Sequence, residues 1–276
     1  MNDLEAIARE MMAAQDEARQ IVPFTERWPQ FGPAAAYEVA DRIHRARMAA
    51  GARPLGRKIG FTNADMWAIY GVREPVWAYV YEHTVTRLEG TVCRCGIDRM
   101  TEPKIEPEIV FGFRAVPADG AGLEEILDAV EWIAHGFEVV QSHFPHWKFA
   151  AADTVADSAL HACLFIGPIR TVSQLGVRVA DALARFEIDL ACDGELLETG
   201  GGSHVLGSPL SAVGHLQQVL AQQPQWRLRP GEIVSTGTLT TARSMHAGQT
   251  WTTRVRGIDL PGLTLMVDPP PVDLPR

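Results

Sequence analysis

Two glutamates that lie two residues apart in an otherwise apolar stretch constrain this chain more than any other feature. Glu106 and Glu108 belong to 105–113 (IEPEIVFGF), which has the composition of a buried strand. Side chains alternate between the two faces of a strand, so both carboxylates project from one face. Because two such carboxylates repel each other at low dielectric, they must be exposed, share a proton or neutralise a cation. The motif alone leaves open a solvated edge strand, which Pro107 would tolerate, or a cation site.

A third glutamate has similar surroundings. Glu138 is the lone acid in 136–140 (GFEVV), and no cysteine or histidine stands beside it at a ligand spacing. A set of oxygen ligands favours Mg²⁺, Mn²⁺ or Ca²⁺ over zinc. Glu106, Glu108 and Glu138 are therefore candidate ligands of one hard divalent cation.

Lys58 is a charged residue among apolar residues and glycines in 55–61 (LGRKIGF). It is either a surface lysine with a buried stem, or a buried lysine whose pKa burial beside a metal would lower, which suits proton transfer. Near the C-terminus, 231–241 (GEIVSTGTLTT) predicts a strand that runs into a hydroxyl-rich turn. Backbone N–H groups and Thr238 could bind a carboxylate there, although the same pattern occurs in ordinary β-turns.

Two histidines lie in short loops. His161 is found in 159–162 (ALHA) and His204 in 201–204 (GGSH). From the residues alone, a structural or surface role is the simpler interpretation of both, with catalysis as the alternative.

The remaining chain alternates helical patterns with short apolar segments. Leu4, Ile7 and Met11 recur at helical spacing, as do Ala36, Val39, Ala40, Ile43 and Ala46. Further helices are predicted at 122–134 and 208–222, strands at 55–61, 105–113, 162–167 and 186–192, and an extended Pro-rich tail at 269–276. This order predicts an α+β chain with a helical N-terminal region, residues 1–52, and a β-rich catalytic domain, residues 53–276.

Composition limits the class of partner. The 276 residues are 46% hydrophobic and 21% charged, which suffices for a full core. A net charge of -9 with no basic cluster argues against nucleic acid, so an anionic substrate would need a local positive element such as a metal and a lysine. No apolar stretch approaches the roughly 20 residues of a membrane span, and the N-terminus lacks a signal pattern. We therefore expect a cytoplasmic protein without a membrane partner.

Six segments occur in a fixed order along almost the whole chain. They are 56–62 (GRKIGFT), 104–109 (KIEPEI), 137–140 (FEVV), 153–157 (DTVAD), 205–209 (VLGSP) and 229–241 (RPGEIVSTGTLTT). Together they resemble the 2-keto-4-pentenoate hydratase and 4-oxalocrotonate decarboxylase group of the fumarylacetoacetate hydrolase superfamily. The resemblance implies a mixed β-roll core with a small helical N-terminal region, and a homo-oligomer.

The resemblance also implies roles for individual residues. A Mg²⁺ or Mn²⁺ would be held by three glutamates and would bind the carboxylate and 2-oxo group of a small 2-oxo acid. The residues concerned are Glu106, Glu108 and Glu138 at the metal, Lys58 and His161 in catalysis, and Val76, Trp77, Ser158, Leu160, Thr238 and Thr240 at the substrate.

The segment 74–78 (EPVWA) departs from the hydratases, which typically carry an acid where this chain has Val76. The decarboxylases tend to be apolar there, and His161 could supply a replacement acid or base. We predict a lyase acting on small 2-oxo-4-enoic acids in the catabolism of aromatic compounds, with hydration first and 4-oxalocrotonate-type decarboxylation as the alternative. Hydrolysis of a C–C bond in an acylpyruvate, or metabolite binding without catalysis, are further alternatives.

Overall fold

The computed structural model describes residues 3–64, 67, 72, 74–222 and 226–270, and within them the chain begins with three helices. They are α1 (Leu4–Glu17), α2 (Phe24–Arg27) and α3 (Pro33–Ala49). Helix α1 begins where the Asp3 carboxylate accepts hydrogen bonds from the backbone N–H groups of Glu5 and Ala6. The buried faces of α1 and α3 pack together, so the helical N-terminal pattern is confirmed.

Fourteen strands follow in the described residues. They are β1 (Pro54–Gly60), β2 (Val76–Tyr81), β3 (Val85–Arg87), β4 (Val92–Cys95), β5 (Lys104–Phe113), β6 (Val130–Val140), β7 (His161–Ile166), β8 (Arg170–Thr171), β9 (Glu187–Cys192), β10 (Glu195–Gly201), β11 (Ile233–Thr238), β12 (Arg243–Ser244), β13 (Thr250–Arg256) and β14 (Thr264–Val267). Each predicted strand segment overlaps one of them. Of the predicted tail, residues 271–276 lie outside the described part of the chain.

The strands form two mixed sheets. The larger sheet has the order β2-β1-β11-β5-β6-β7-β3, with β12 beside β5 and β8 beside β6. The smaller sheet has the order β10-β9-β13-β14-β4. Strand pairs β1/β11, β3/β7 and β4/β14 are parallel, whereas the other pairs are antiparallel. Strands β5 and β6 thus lie in the middle of the larger sheet.

Among the described residues, five further α-helices lie between strands: α4 (Leu123–Ala129), α5 (Ala151–Ala156), α6 (Val172–Leu175), α7 (Val179–Arg185) and α8 (Pro209–Ala221). Helix α8 confirms the one predicted at 208–222. The helix predicted at 122–134 is wrong beyond Ala129, because Val130 begins β6. Its residues Trp132, Ile133 and Ala134 are buried in the sheet, so pairing with β5 overrides the local helical pattern.

Alternation along β5 and β6 separates an apolar face from an acidic one. Ile105, Phe137 and Val139 pack against residues of the smaller sheet in one core cluster. Glu106 and Glu138 are directly paired across the two strands, and their side chains occupy the other face. The glutamates therefore point away from the smaller sheet. None of the described helices is both long enough and apolar enough to cross a membrane.

A buried carboxylate attaches the N-terminal helices to this body. Asp153 on α5 accepts hydrogen bonds from the Thr25 hydroxyl (2.6 Å), the Thr25 N–H (3.0 Å) and the Ala150 N–H (2.9 Å). All three donors would lose their partner without it.

We predict that Asp153→Ala lowers the free energy of unfolding by about 1 to 2 kcal/mol, since it removes a buried acceptor and leaves three partly buried donors without it. Denaturant titration followed by fluorescence measures this. The control is Asp128→Ala, at an exposed aspartate, which should change stability by less than about 0.5 kcal/mol. Equal midpoints for the two variants would contradict the role of Asp153.

Candidate metal and substrate site

Three carboxylates meet in the middle of the larger sheet. One carboxylate oxygen each from Glu106, Glu108 and Glu138 lies within 4.8 Å of the other two. Glu108 and Glu138 are fully buried, whereas Glu106 is partly exposed. The pairing of Glu106 with Glu138 brings together acids that lie far apart in sequence.

Strand β11 holds Glu108 in place. One oxygen, Oε2, accepts a hydrogen bond from the Ser235 hydroxyl and another from the Gly237 N–H at 3.0 Å. Gly237 has a φ of +95°, and a Cβ there would lie 2.0 Å from the Thr62 hydroxyl, so only glycine fits. The other oxygen of Glu108, Oε1, is buried and has no hydrogen-bond partner among the described residues.

Lys58 and His161 contact Glu138 through different oxygens. Lys58 Nζ lies 3.2 Å from Glu138 Oε2 and donates a hydrogen bond to the Ala159 carbonyl oxygen at 3.0 Å. His161 Nδ1 lies 2.6 Å from Glu138 Oε1, and its Nε2 lies 2.8 Å from the Thr84 hydroxyl. Glu138 is therefore fixed by one cation and one imidazole.

Burial dominates the electrostatics of the cluster. It raises the pKa of Glu106 and of Glu138 to about 7, although the Lys58 ammonium limits the rise. Burial, followed by the charge of Glu138, raises the pKa of Glu108 well above its usual range. Burial alone would lower the pKa of Lys58, as the sequence predicts, but the three carboxylates outweigh it and the pKa is raised. Burial and the charge of Lys58 lower the pKa of His161 to about 3, so its ring is neutral near pH 7.

These residues fit a hard divalent cation. Three carboxylates face one ammonium, so the group carries excess negative charge when ionised. The unpaired Oε1 of Glu108 is an acceptor without a donor, and the ligand set consists of oxygen alone. Oxygen ligands of this kind are those that Mg²⁺, Mn²⁺ and Ca²⁺ prefer.

A pocket of about 60 Å³ opens beside the carboxylates. Lys58, Glu106, Val140 and Trp147 line this pocket, and Thr238 and Thr240 also line it. Backbone strain concentrates in this wall, because four lining residues other than glycine have a left-handed φ. They are Phe61 (57°), Trp147 (56°), Ala159 (49°) and Leu160 (67°). Such strain persists only where surrounding contacts enforce it, and it is typical of functional sites.

The contacts that enforce one strained turn come from helix α1. Ser158, Ala159 and Leu160 are successive left-handed residues. The Gln15 amide donates hydrogen bonds to the Asp157 carboxylate (3.1 Å) and the Ser158 hydroxyl (3.3 Å). Asp157 also lies 2.8 Å from His143 Nδ1, and both groups are buried. Gln15 and the Asp157–His143 pair thus stabilise the turn that presents the Ala159 carbonyl to Lys58.

The predicted substrate residues divide between the pocket and its surroundings. Leu160, Thr238 and Thr240 line the pocket. The Thr238 hydroxyl donates to the Thr240 carbonyl at 2.9 Å, so it is occupied within its own turn. Ser158 and His161 line a separate cavity on the other side of the turn. The roles of all five stay predictions.

Val76 and Trp77 lie behind the pocket. A Cβ on Gly60 would be 3.4 Å from Val76 Cγ2 and 3.6 Å from Lys58 Nζ, so Val76 lies near the lysine without lining the described pocket. Trp77 instead stacks on Tyr37 and Arg57 and lines another cavity. Alternation along β2 turns the Trp77 ring to the opposite face from Val76, so Trp77 does not line this pocket, and the predicted substrate contacts of Val76 and Trp77 stay predictions.

Other contributors carried no clear signal in the sequence. Ser235 belongs to the hydroxyl-rich segment, yet only its pairing with the larger sheet shows that it contacts Glu108. Gln15 and His143 lie in unrelated segments and come together through the packing of α1 against the turn. His204 does not line the described pocket, and its Nδ1 lies 3.1 Å from the Leu239 carbonyl oxygen.

Fold and site define a mixed β-sheet protein with a carboxylate cluster suited to a divalent cation. The chain belongs to the fumarylacetoacetate (FAA) hydrolase C-terminal family, which it matches over residues 70–263. This confirms the superfamily and the fold predicted from the sequence.

Similar proteins span nearly the full chain. A 4-oxalocrotonate decarboxylase of Pseudomonas sp. strain CF600 is 29% identical over 257 residues, covering 92% of this chain and 93% of the relative. A 2-keto-4-pentenoate hydratase of Paraburkholderia phymatum is 29% identical over 258 residues, covering 93% and 95%. The solved 4-oxalocrotonate decarboxylase from Pseudomonas putida G7, complexed with magnesium and adipate, superposes with a TM-score of 0.86 at 26% identity, covering 96% and 97%.

The raised pKa values predict that cation binding releases protons. At pH 7, Glu106 and Glu138 are close to their pKa and are partly protonated, whereas a cation binds the carboxylate forms. Apparent Mg²⁺ affinity should therefore rise as pH increases through about 7. Calorimetry in two buffers of different ionisation enthalpy should give different heats at pH 7. Identical heats and a pH-independent affinity would contradict this.

Proposed function

We propose that the protein is a metal-dependent lyase that acts on small 2-oxo-4-enoic acids, or their 2-hydroxydienoic tautomers, in the catabolism of aromatic compounds. The observation that carries the proposal is the convergence of Glu106, Glu108 and Glu138 with Lys58 at one pocket. The names of the similar hydratase and decarboxylase support the reaction class.

The three glutamates would hold Mg²⁺ or Mn²⁺. When bound, such a cation supplies positive charge that orients a 2-oxo acid and polarises its ketone. The magnesium present in the similar decarboxylase structure supports this choice. Ser235 and the Gly237 N–H keep Glu108 oriented for that role.

Lys58 is the proposed proton carrier at the reacting carbons. Its ammonium lines the pocket and is oriented by Glu138 and the Ala159 carbonyl. A positioned ammonium can deliver a proton to a developing carbanion and take one back from the product. Leu160 and Trp147 supply apolar wall that limits access of water.

Hydration is the first proposed outcome, and decarboxylation is the second. Val76 favours the second, because it places an apolar side chain near Lys58 where the hydratases typically carry an acid. Decarboxylation needs no base to activate water, so it tolerates this loss. Cytoplasmic location, assembly into a homo-oligomer and a domain boundary at residue 52 also stay predictions.

A pair of substrates tests the reaction. With Mg²⁺, 2-hydroxypenta-2,4-dienoate and 2-oxo-hex-3-enedioate should lose their ultraviolet absorbance, and released CO₂ identifies decarboxylation. Glu108→Gln should lower turnover by at least about 100-fold, because it removes a carboxylate ligand. Glu131→Gln, at an exposed glutamate of β6, is the matched control and should leave turnover unchanged. Retained Mg²⁺ binding without turnover of either substrate would favour a metabolite-binding protein or a C–C hydrolase.

Replacement of Lys58 separates proton transfer from metal binding. Lys58→Met should lower kcat by about 10²- to 10⁴-fold, the usual contribution of a positioned acid or base. Mg²⁺ affinity should be retained, since the three glutamates remain. Lys148→Met, at an exposed lysine, is the control. Steady-state kinetics and calorimetry measure both quantities, and an unchanged kcat would remove Lys58 from the reaction.

A further inference from the structure

The smaller sheet reaches the pocket through its edge strand β10. This strand lies at one end of the smaller sheet and packs against residues 239–242, the turn that follows β11 in the larger sheet. The Gly201 N–H donates a hydrogen bond to the Leu239 carbonyl oxygen at 3.1 Å. A Cβ on Gly200 would lie 2.0 Å from the same oxygen, so only glycine permits this close approach. Three residues of the turn line the pocket: Thr240, Thr241 and Ala242.

A β-bulge directs Glu198 towards the turn. The register between β10 and β9 shifts between Leu196 and Glu198, so Leu197 is an extra residue in the ladder. One extra residue reverses the face on which the following side chains lie, and Glu198 therefore faces away from the side that carries Leu196. Leu196 is 58% exposed, whereas the Glu198 side chain is 21% exposed. The bulge thus places a carboxylate on the face of β10 that meets the turn.

The Glu198 carboxylate binds two residues that follow β11. Its Oε1 accepts hydrogen bonds from the Thr241 N–H at 2.9 Å and from the Thr241 hydroxyl at 3.2 Å. Its Oε2 accepts a hydrogen bond from the Arg243 guanidinium at 2.6 Å. Glu198 does not itself line the described pocket. It therefore binds both polar hydrogens of a pocket residue from outside the pocket.

The two halves of the turn are held by different strands. In the first half, the Leu239 N–H donates to the Pro107 carbonyl oxygen of β5 at 2.8 Å. In the second half, Thr241 is joined to Glu198 of β10. Removal of the Glu198 carboxylate would release the second half alone and leave in place β5, which carries two of the glutamates at the candidate metal site.

We propose that Glu198 is a positioning residue that fixes Thr241 and Ala242 in the pocket wall and thereby sets the affinity of the pocket for a small 2-oxo acid. The identity of this ligand rests on the proposed function above. Glu198 acts through Thr241, because it lies outside the pocket. A wall residue that shifts loses its contacts with a bound ligand, whereas the three glutamates keep their places around a cation.

The charge of Glu198 by itself would have the opposite effect. Loss of the carboxylate leaves the Arg243 guanidinium without this partner near the pocket, and a free positive charge attracts an anion. An effect of charge would therefore raise the affinity for a 2-oxo acid, whereas loss of positioning lowers it. Glu198→Gln separates the two effects, since its amide oxygen still accepts hydrogen bonds from Thr241 but carries no charge.

Calorimetry with Mg²⁺ and 2-oxopentanoate, a saturated five-carbon 2-oxo acid, tests the proposal without turnover. Glu198→Ala should raise the Kd of 2-oxopentanoate by about 10-fold and leave the Kd of Mg²⁺ within about twofold. Glu198→Gln should keep the Kd of 2-oxopentanoate within about threefold of the unmodified protein. The matched control is Asp189→Ala on the neighbouring strand β9. It removes a carboxylate that binds Thr199 and Arg256, and both Kd values should be unchanged.

Hydrogen exchange measures the position of the turn without any ligand. In Glu198→Ala, the Thr241 amide should exchange at least about 10-fold faster, because its acceptor is absent. Glu198→Gln should retain most of the protection. Mass spectrometry of peptides that span residues 237–243 follows this exchange, and the Asp189→Ala variant should match the unmodified protein.

The outcomes distinguish this proposal from the proposed function. An equal loss of affinity in the alanine and glutamine variants, a Kd for 2-oxopentanoate that is unchanged or lower in Glu198→Ala, or unchanged exchange at Thr241 would overturn the positioning role. The same loss of affinity in Asp189→Ala would also overturn it. An unmodified protein that binds Mg²⁺ but no 2-oxopentanoate would contradict the proposed function, and faster exchange at Thr241 in Glu198→Ala would then still support the positioning of the pocket wall.

Discussion

Mutual repulsion among three carboxylates, two of them fully buried, is the constraint on which the rest of this structure depends. Glu106, Glu108 and Glu138 share one face of the central strands with a single lysine in ion-pair contact. Burying such a group costs free energy unless charge and hydrogen bonds compensate it. Lys58, the Ser235 hydroxyl and the Gly237 N–H supply part of the compensation, and a divalent cation would supply the remainder.

The pocket wall accommodates this arrangement through strained backbone. Phe61, Trp147, Ala159 and Leu160 adopt left-handed conformations without being glycine, and each borders the pocket. The carbonyl of Ala159, in the middle of the left-handed turn, accepts a hydrogen bond from Lys58. Rigid strands carry the charged groups, and strained turns set the shape of the space in front of them.

Sequence patterns within a single element predicted the features that depend on that element alone. The two-residue spacing of Glu106 and Glu108 is enough to place them on one face, and the serine and proline at 208–209 mark where α8 begins. Glu138 was a candidate ligand because it is a lone acid in an apolar strand segment, but its direct pairing with Glu106 joins distant segments and no local pattern predicted it. The end of α4 at Ala129 was missed because the apolar spacing continues into β6, and the left-handed turn at 158–160 contains no glycine or asparagine to signal it.

The amide of Gln15 connects helix α1 to the turn that orients Lys58. It joins α1 to Asp157 and Ser158, immediately before the carbonyl that orients the lysine. A fragment starting at β1 would retain every acidic ligand but lose this brace, and the turn could relax towards ordinary backbone angles. Fraying of the amino-terminal helix and misplacement of the reactive amine are therefore linked events, although no residue of that helix lines the described pocket.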